Sequence, residues 1–266
     1  MIKTNRTEYD LIVSLGGSCN AAGQLKFRGL RRFALPFDWI GTFSPGKFLN
    51  FCAGLDTRFK DWCRYENMRQ YGEVRKELGK DTYNYEDTAS GYHFIHQFHV
   101  PIEDREAFEL ERKVFERRVE RFYSSVESSK NVLFVLTSLF GFDFDIATKV
   151  FEALKRNFPN VNCELVVMQF AARQQTSVEL LDGAVHVETY IRAVDTVYDN
   201  YLTSAEWGWM DRLTLAGDDK RRGKLSVKWL YKLWKAIGSL LLRNGIAKGR
   251  IQMLKIERGA MGLAER

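Results

Sequence analysis

A chain of 266 residues with 45% hydrophobic and 14% aromatic side chains can fill a substantial core, which excludes disorder as the default state. Only four prolines occur, and the absence of a Gly/Ser-rich linker or an internal repeat excludes a repeat array. The net charge of +6 is unevenly spread: residues 220–266 hold 13 Lys/Arg against 2 Asp/Glu, while the first 219 hold 27 basic and 32 acidic side chains. Attraction to phosphate, nucleic acid or anionic lipid is therefore expected of the tail and not of the main part.

In chain order, Tyr9-Asp-Leu-Ile-Val-Ser-Leu15 is a short apolar run closed by Gly16-Gly17, which predicts a buried strand. Ser18-Cys19-Asn20 opens a helix from Ala21 to about Arg28, and a second helix is expected after Ser44-Pro45. Residues 55–90 are polar, aromatic-studded and give no assignment. Tyr92 to Val100 has strand composition, ended by Pro101, and residues 103–129 carry Phe108, Val114, Phe115, Val119 and Phe122 near helical spacing. Val132-Leu-Phe-Val-Leu136 predicts a buried strand, followed by a helix over about 145–157 and strands at 164–168 and 184–190. A helix over 204–213 ends the domain.

Strand and helix in alternation predict an α/β fold, a three-layer sandwich with a mainly parallel central sheet, over residues 1–219. Residues 220–266 form a basic amphipathic helical tail. The opening residues lack the apolar run of a signal peptide, and no stretch is long and apolar enough to span a membrane. With four cysteines (Cys19, Cys52, Cys63, Cys163) in no CxxC or disulfide-framework spacing, free thiols in a reducing cytoplasm are expected.

Ligands of open parallel sheets bind beyond the C-terminal strand ends, where Leu15-Gly-Gly-Ser-Cys-Asn20 lies. A thiol at a helix N-terminus has its thiolate favoured by the helix dipole and free N–H groups, and the same groups can hold an oxyanion. Cys19 is thus the candidate nucleophile for acyl chemistry, with Gly16, Gly17, Ser18 and Asn20 as the substrate-binding turn. The same residues also suit a plain strand–helix turn with a small buried cysteine. A nucleophilic thiol needs a base, and only His93, His96, His99 and His186 are available. On a regular strand His93 and His99 share one face and His96 the other, which disfavours a three-histidine metal site, so neither metal nor cofactor is expected. Asp38, in an aromatic stretch, could orient a histidine or cap a turn. Arg112, Lys113, Arg117, Arg118 and Arg121 offer either an anion-binding helix face, with Arg118 and Arg121 touching substrate, or solvated charge interleaved with Glu.

The block Tyr9 to Asn20, with Gln24-Leu25, Leu30-Arg31 and Pro36-Phe-Asp-Trp-Ile40, resembles a bacterial and viral domain family described as papain-like cysteine peptidases. Phe94-Ile-His-Gln-Phe98, Arg117-Arg118, Arg121-Phe122 and Val132-Leu-Phe-Val135 continue the resemblance, which runs over roughly residues 9–215. It implies a Cys–His mechanism with Cys19 and His96, and Asp38 as a third member; it does not extend to His93 and His99. The strand before Cys19 is closer to a three-layer sandwich than to papain and is similar to esterases of the Ser-Gly-Asn-His type, with Ser18 or Cys19 as nucleophile. The family's similarity to proteins encoded among surface-polysaccharide genes implies acyl or glycosyl transfer to a glycan as the rival activity. A non-enzymatic binding domain with a buried Cys19 is the third reading.

In the tail, Lys224, Lys228, Lys232 and Lys235 form one helical stripe opposite Trp229, Leu230, Leu233, Trp234, Ile237 and Leu240. That pattern over residues 224–243 suits a helix lying on an anionic membrane surface, at the inner face for a cytoplasmic protein, or one packing on protein. No nucleic-acid module is present to support binding beyond charge. Oligomeric state is open.

Overall fold

In the computed structural model, residues 2–42, 44–77, 79–138, 143–171, 176–191 and 205–217 are described. The tail 220–266 with its lysine stripe lies outside them, and so does Ser204, the first residue of the helix expected over 204–213. The chain enters as β1 (Glu8–Tyr9) and β2 (Leu11–Ser14), turns through Gly16 and Gly17, and forms α1 (Asn20–Phe27). A loop leads to β3 (Ile40–Gly41), and a short 3-10 turn precedes α2 (Phe48–Asp56). Four strands follow: β4 (Met68–Gln70), β5 (Arg75–Glu77), β6 (Lys80–Asp87) and β7 (Tyr92–Phe98). Then come α3 (Arg105–Glu127), β8 (Asn131–Ser138), α4 (Phe144–Asn157), β9 (Asn162–Ala171), β10 (Thr176–Leu180) and β11 (Val185–Ile191). A 3-10 segment (Ala205–Arg212), where an α-helix was expected, and β12 (Thr214–Leu215), paired parallel to β1, close the described part.

The main sheet has the order β10-β11-β9-β8-β2, with β2, β8, β9 and β11 parallel and β10 antiparallel at the edge. Its inner strand β8 runs apolar from Val132 to Leu136 because both faces are covered, while β9 and β11 also bury polar residues such as Glu164, His186 and Glu188. Alternate residues separate the faces: Val13, Phe134, Leu136, Leu165 and Val167 join a cluster with Phe51 of α2, Phe122 of α3 and Leu154 of α4. Ile12, Leu133, Val135, Val166 and Met168 join another with Leu25 of α1, Trp207 and Met210.

One mainly parallel sheet is, however, only part of the architecture. The stretch 55–90, which carries no clear periodicity, contributes β4, β5 and β6 to a second, antiparallel sheet of order β3-β7-β6-β4, with β5 paired to β6. The fold is therefore mixed α/β with parallel and antiparallel sheets. Helix α3 is capped by Asp104, whose carboxylate accepts from the Ala107 N–H at 3.0 Å. Its N-terminal half covers the second sheet, where Phe108 stacks on Phe98 at 4.9 Å, and its C-terminal half reaches Phe37 and Phe158 through Phe122.

The two sheets meet at the double glycine. Gly16 and Gly17 both have left-handed φ (78° and 82°), and a Cβ on Gly17 would stand 1.7 Å from the Thr137 carbonyl oxygen at the end of β8. On the other side, a Cβ on Gly41 of β3 would lie 3.2 Å from the Gly17 oxygen.

Two stability outcomes follow. Gly17→Ala is expected to lose more than about 3 kcal/mol, since a left-handed backbone cost of about 1–2 kcal/mol is joined by a backbone collision. Gly29→Ala, at φ 71° with nothing near its Cβ, should lose only about 1 kcal/mol in the same urea titration. Burial also raises the free thiols: Cys19, Cys52 and Cys163 go from 9.0 to about 11, and Cys63 goes well above its ordinary value. Between pH 9 and 11 the unfolded chain releases these protons while the folded chain keeps them, so stability present below pH 9 is lost as pH rises. Urea titrations at pH 8 and pH 10.5 should show the fall, at most about 1.4 kcal/mol per pH unit for each thiol.

Candidate active site

The turn after β2 is built around Thr137. The Leu15 N–H still bonds the Val135 carbonyl (2.9 Å), continuing the ladder, and the Gly16 carbonyl then accepts from both the Thr137 N–H (3.1 Å) and its hydroxyl (2.9 Å). The buried Ser18 hydroxyl lies 2.9 Å from the Thr137 hydroxyl and accepts from the Asn20 N–H at 3.3 Å. Ser18 is thereby engaged in shaping the turn. Asn20 is fully buried, and among the described residues neither its side-chain nitrogen nor its side-chain oxygen has a hydrogen-bond partner.

Cys19 occupies the position before α1 (φ −68°, ψ −9°) and is half-buried. The expected stabilisation of its thiolate by the helix terminus is outweighed. Burial pushes the thiol up to about 11 and the Glu77 carboxylate adds to the rise, with only the Cys19 backbone pulling the other way. At neutral pH the resting group is a protonated thiol.

His96 reaches the same neighbourhood through a defect in β7. Strand β3 pairs with β7 at Ile40–Phe94 and Gly41–His93, and the Ile95 N–H bonds the Trp39 carbonyl at 3.0 Å. Against β6, however, Tyr83 faces Phe98 and Tyr85 faces Phe94, so three residues, Ile95 to Gln97, oppose the single Asn84. His96 has φ 67° at the middle of this bulge. A bulge redirects a side chain and breaks the alternation that a regular strand imposes. The three histidines consequently part. His93 packs against Tyr71 at 4.9 Å, and burial lowers its pKa. The His99 Nδ1 sits 3.1 Å from the Asp81 carbonyl. His96 Nδ1 lies 2.6 and 2.8 Å from the two carboxylate oxygens of Glu77, its ring edge-on to Trp39 at 5.9 Å. His186, in β11, pairs instead with the buried Glu164 at 3.5 Å.

Glu77 is the residue that sequence reasoning missed. It closes β5, opposite Lys80 of β6, in a charged stretch whose pattern resembles solvated surface. Its carboxylate holds His96 and its charge is felt at Cys19. With Nδ1 donating to Glu77, the tautomer leaves Nε2 as the acceptor.

Asp38 does not take the orienting role expected of it. Its carboxylate is buried (1% exposed), accepts from the Leu35 N–H at 2.9 Å and pairs with the Arg31 Nε at 3.4 Å. Burial raises its pKa, against the pull of Arg31, the Leu35 N–H and Arg118. It anchors the loop that carries Trp39, and its partners are cations, not an imidazole. Arg118 lies within electrostatic reach of Asp38, and Arg121 donates to the Ala34 carbonyl at 3.1 Å. Among the described residues, no group of His, Cys, Asp and Glu is arranged to hold a metal ion.

Comparison with known proteins gives the family of the chain. The chain is 27% identical over 134 residues to an uncharacterized protein of Acanthamoeba polyphaga mimivirus, an alignment covering 47% of this chain. It spans about three fifths (60%) of that relative's length. No solved structure matches. A family model described as "Putative papain-like cysteine peptidase" matches residues 10–171, a segment that contains Cys19, Glu77 and His96. With well over half of its length inside that match, the chain belongs to this papain-like cysteine peptidase family.

Proposed function

We propose that the chain is a thiol-dependent acyl hydrolase of peptidase type, with Cys19 as nucleophile, His96 as general base and acid, and Glu77 as the carboxylate that orients the imidazole. The observation that carries this reading is the bulged His96 whose Nδ1 is held by both oxygens of Glu77, a carboxylate whose charge also reaches Cys19. A left-handed non-glycine residue in a strand costs of order 1–3 kcal/mol, and such costs concentrate at functional sites.

The protonation states define the route. Because burial and Glu77 both disfavour the thiolate, the thiol keeps its proton until substrate arrives. His96 Nε2 takes the thiol proton as sulfur attacks the acyl carbon, and the carbonyl oxygen acquires the negative charge. The first-turn N–H groups of α1, which have no partners inside the helix, supply donors for it. The intermediate collapses to a thioester as His96 returns the proton to the departing amine or alcohol. Water, deprotonated by the same imidazole, then releases the acid and restores the thiol.

Cys19→Ala is expected to abolish turnover of peptide and ester substrates, with no acyl adduct seen by mass spectrometry, while the fold persists. Glu77→Gln should lower kcat by about 10²–10⁴-fold, as loss of an orienting carboxylate does. Either variant retaining full turnover refutes the assignment. Iodoacetamide labelling of Cys19 in the free protein should rise only above the ordinary thiol range, towards about pH 11. Half-maximal labelling well below pH 8.5 would instead identify a preformed thiolate–imidazolium pair.

A further inference from the structure

Around Trp39, whose ring neighbours His96, lies positive charge that the proposed chemistry leaves unused. Arg31, 15% exposed at its side chain, pairs through Nε with Asp38 at 3.4 Å, while its Nη1 is buried with no hydrogen-bond partner among the described residues. Arg118 is crowded by Arg31, Arg121 and Arg117, and burial together with these neighbours lowers its pKa although Asp38 opposes them. Glu111, whose carboxylate also lies within electrostatic reach of Arg118, already accepts from the His99 N–H at 2.7 Å. Buried charge is ordinarily paired, so several guanidinium groups around one buried carboxylate are an unbalanced set.

The position of the set relates it to the reacting groups. The Arg31 guanidinium lies 5.7 Å over the Trp39 ring, and the His96 ring stands edge-on to the same indole at 5.9 Å. A guanidinium presents a planar fork that matches an oxyanion through two parallel hydrogen bonds.

We propose that Arg31 and Arg118, supported by Arg121 and walled by Trp39, form a subsite for an oxyanion group, a carboxylate or a phosphate, carried by the substrate of the Cys19–His96 centre. The assignment of a substrate rests on the acyl-transfer reading above; the anion site itself does not. An acidic acyl substrate is thereby favoured over a neutral one, and the buried Nη1 acquires its missing acceptor.

The test is thermal unfolding of the full chain with inorganic phosphate or acetate, each against chloride at matched ionic strength. One of the two oxyanions is expected to raise Tm by about 3 °C at a tenfold excess over its Kd, and which one does so separates phosphate from carboxylate recognition. Arg118→Met should fold, since it relieves like-charge crowding, and should lose the shift. Should it fail to fold, Arg118→Lys, which keeps the charge and loses the fork, is read in its place and should show a reduced shift. Cys19→Ala should keep the full shift. No oxyanion-specific shift in the wild type, or a full shift in the Arg118 variant, overturns the subsite. An oxyanion shift without Cys19-dependent turnover leaves the subsite standing and refutes the acyl reading instead.

Discussion

The close passage of Gly17 past the Thr137 carbonyl is the constraint on which the rest of the molecule depends. The parallel sheet ends there, and the antiparallel sheet begins on the other side, at Gly41. A single hydroxyl, that of Thr137, bonds the Gly16 carbonyl and the Ser18 hydroxyl, so the turn is clamped from within. Cys19 belongs to the first sheet's turn, whereas His96 and Glu77 belong to strands of the second. Only a seam without side chains lets both sheets come near enough for the Glu77 charge to act on the Cys19 thiol.

That proximity also determines which electrostatic effect wins. A helix terminus contributes of order 0.3–1 kcal/mol at an exposed position. Burial of a thiolate and a neighbouring carboxylate both act against it, and the thiol stays protonated. Glu77 therefore acts in two opposite senses. It disfavours the resting Cys19 thiolate, and in the proposed mechanism it stabilises the positive charge that His96 takes on with the thiol proton. In that mechanism such a carboxylate favours attack coupled to proton transfer over a standing ion pair.

The fold was legible where sequence period reflects burial. Val132 to Leu136 and Leu165 to Met168 are apolar on both faces, and α3 repeats its aromatics at helical spacing, so those elements stand out in the sequence. The strand–Gly-Gly–Cys–helix turn was equally readable, because glycine pairs with left-handed φ leave a local signature. The second sheet was not. β4 and β5 are only three residues each, β5 (Arg75–Glu77) presents nothing apolar at all, and β6, although it lies inside the sheet, buries mostly polar residues such as Thr82, Asn84 and Asp87. Glu77 gains its meaning only from pairing with β6 and from the bulge in β7. A bulge is a tertiary event: period-2 alternation separates His96 from its neighbours by face but cannot reveal that it leaves the ladder. Asp38 was plausible as a triad member by order along the chain, yet the residues that surround it, Arg31 and Arg118, come from α1's exit loop and from α3.

The two carboxylates at the site divide its work by their degree of exposure. Asp38, 1% exposed, fixes the loop from Leu35 to Trp39 through a backbone N–H and a guanidinium, and a buried pair of that kind is costly to break. Glu77, with a third of its side chain in solvent, cannot hold His96 by strength alone, since water screens exposed pairs to about 1 kcal/mol or less. Its contribution is direction: two carboxylate oxygens lie within 2.8 Å of one Nδ1, and the Trp39 ring stands edge-on to the imidazole at 5.9 Å. Asp38 thus reaches the imidazole through Trp39 without touching it. The rigid carboxylate positions the wall, the exposed one positions the proton, and the bulge places His96 between them.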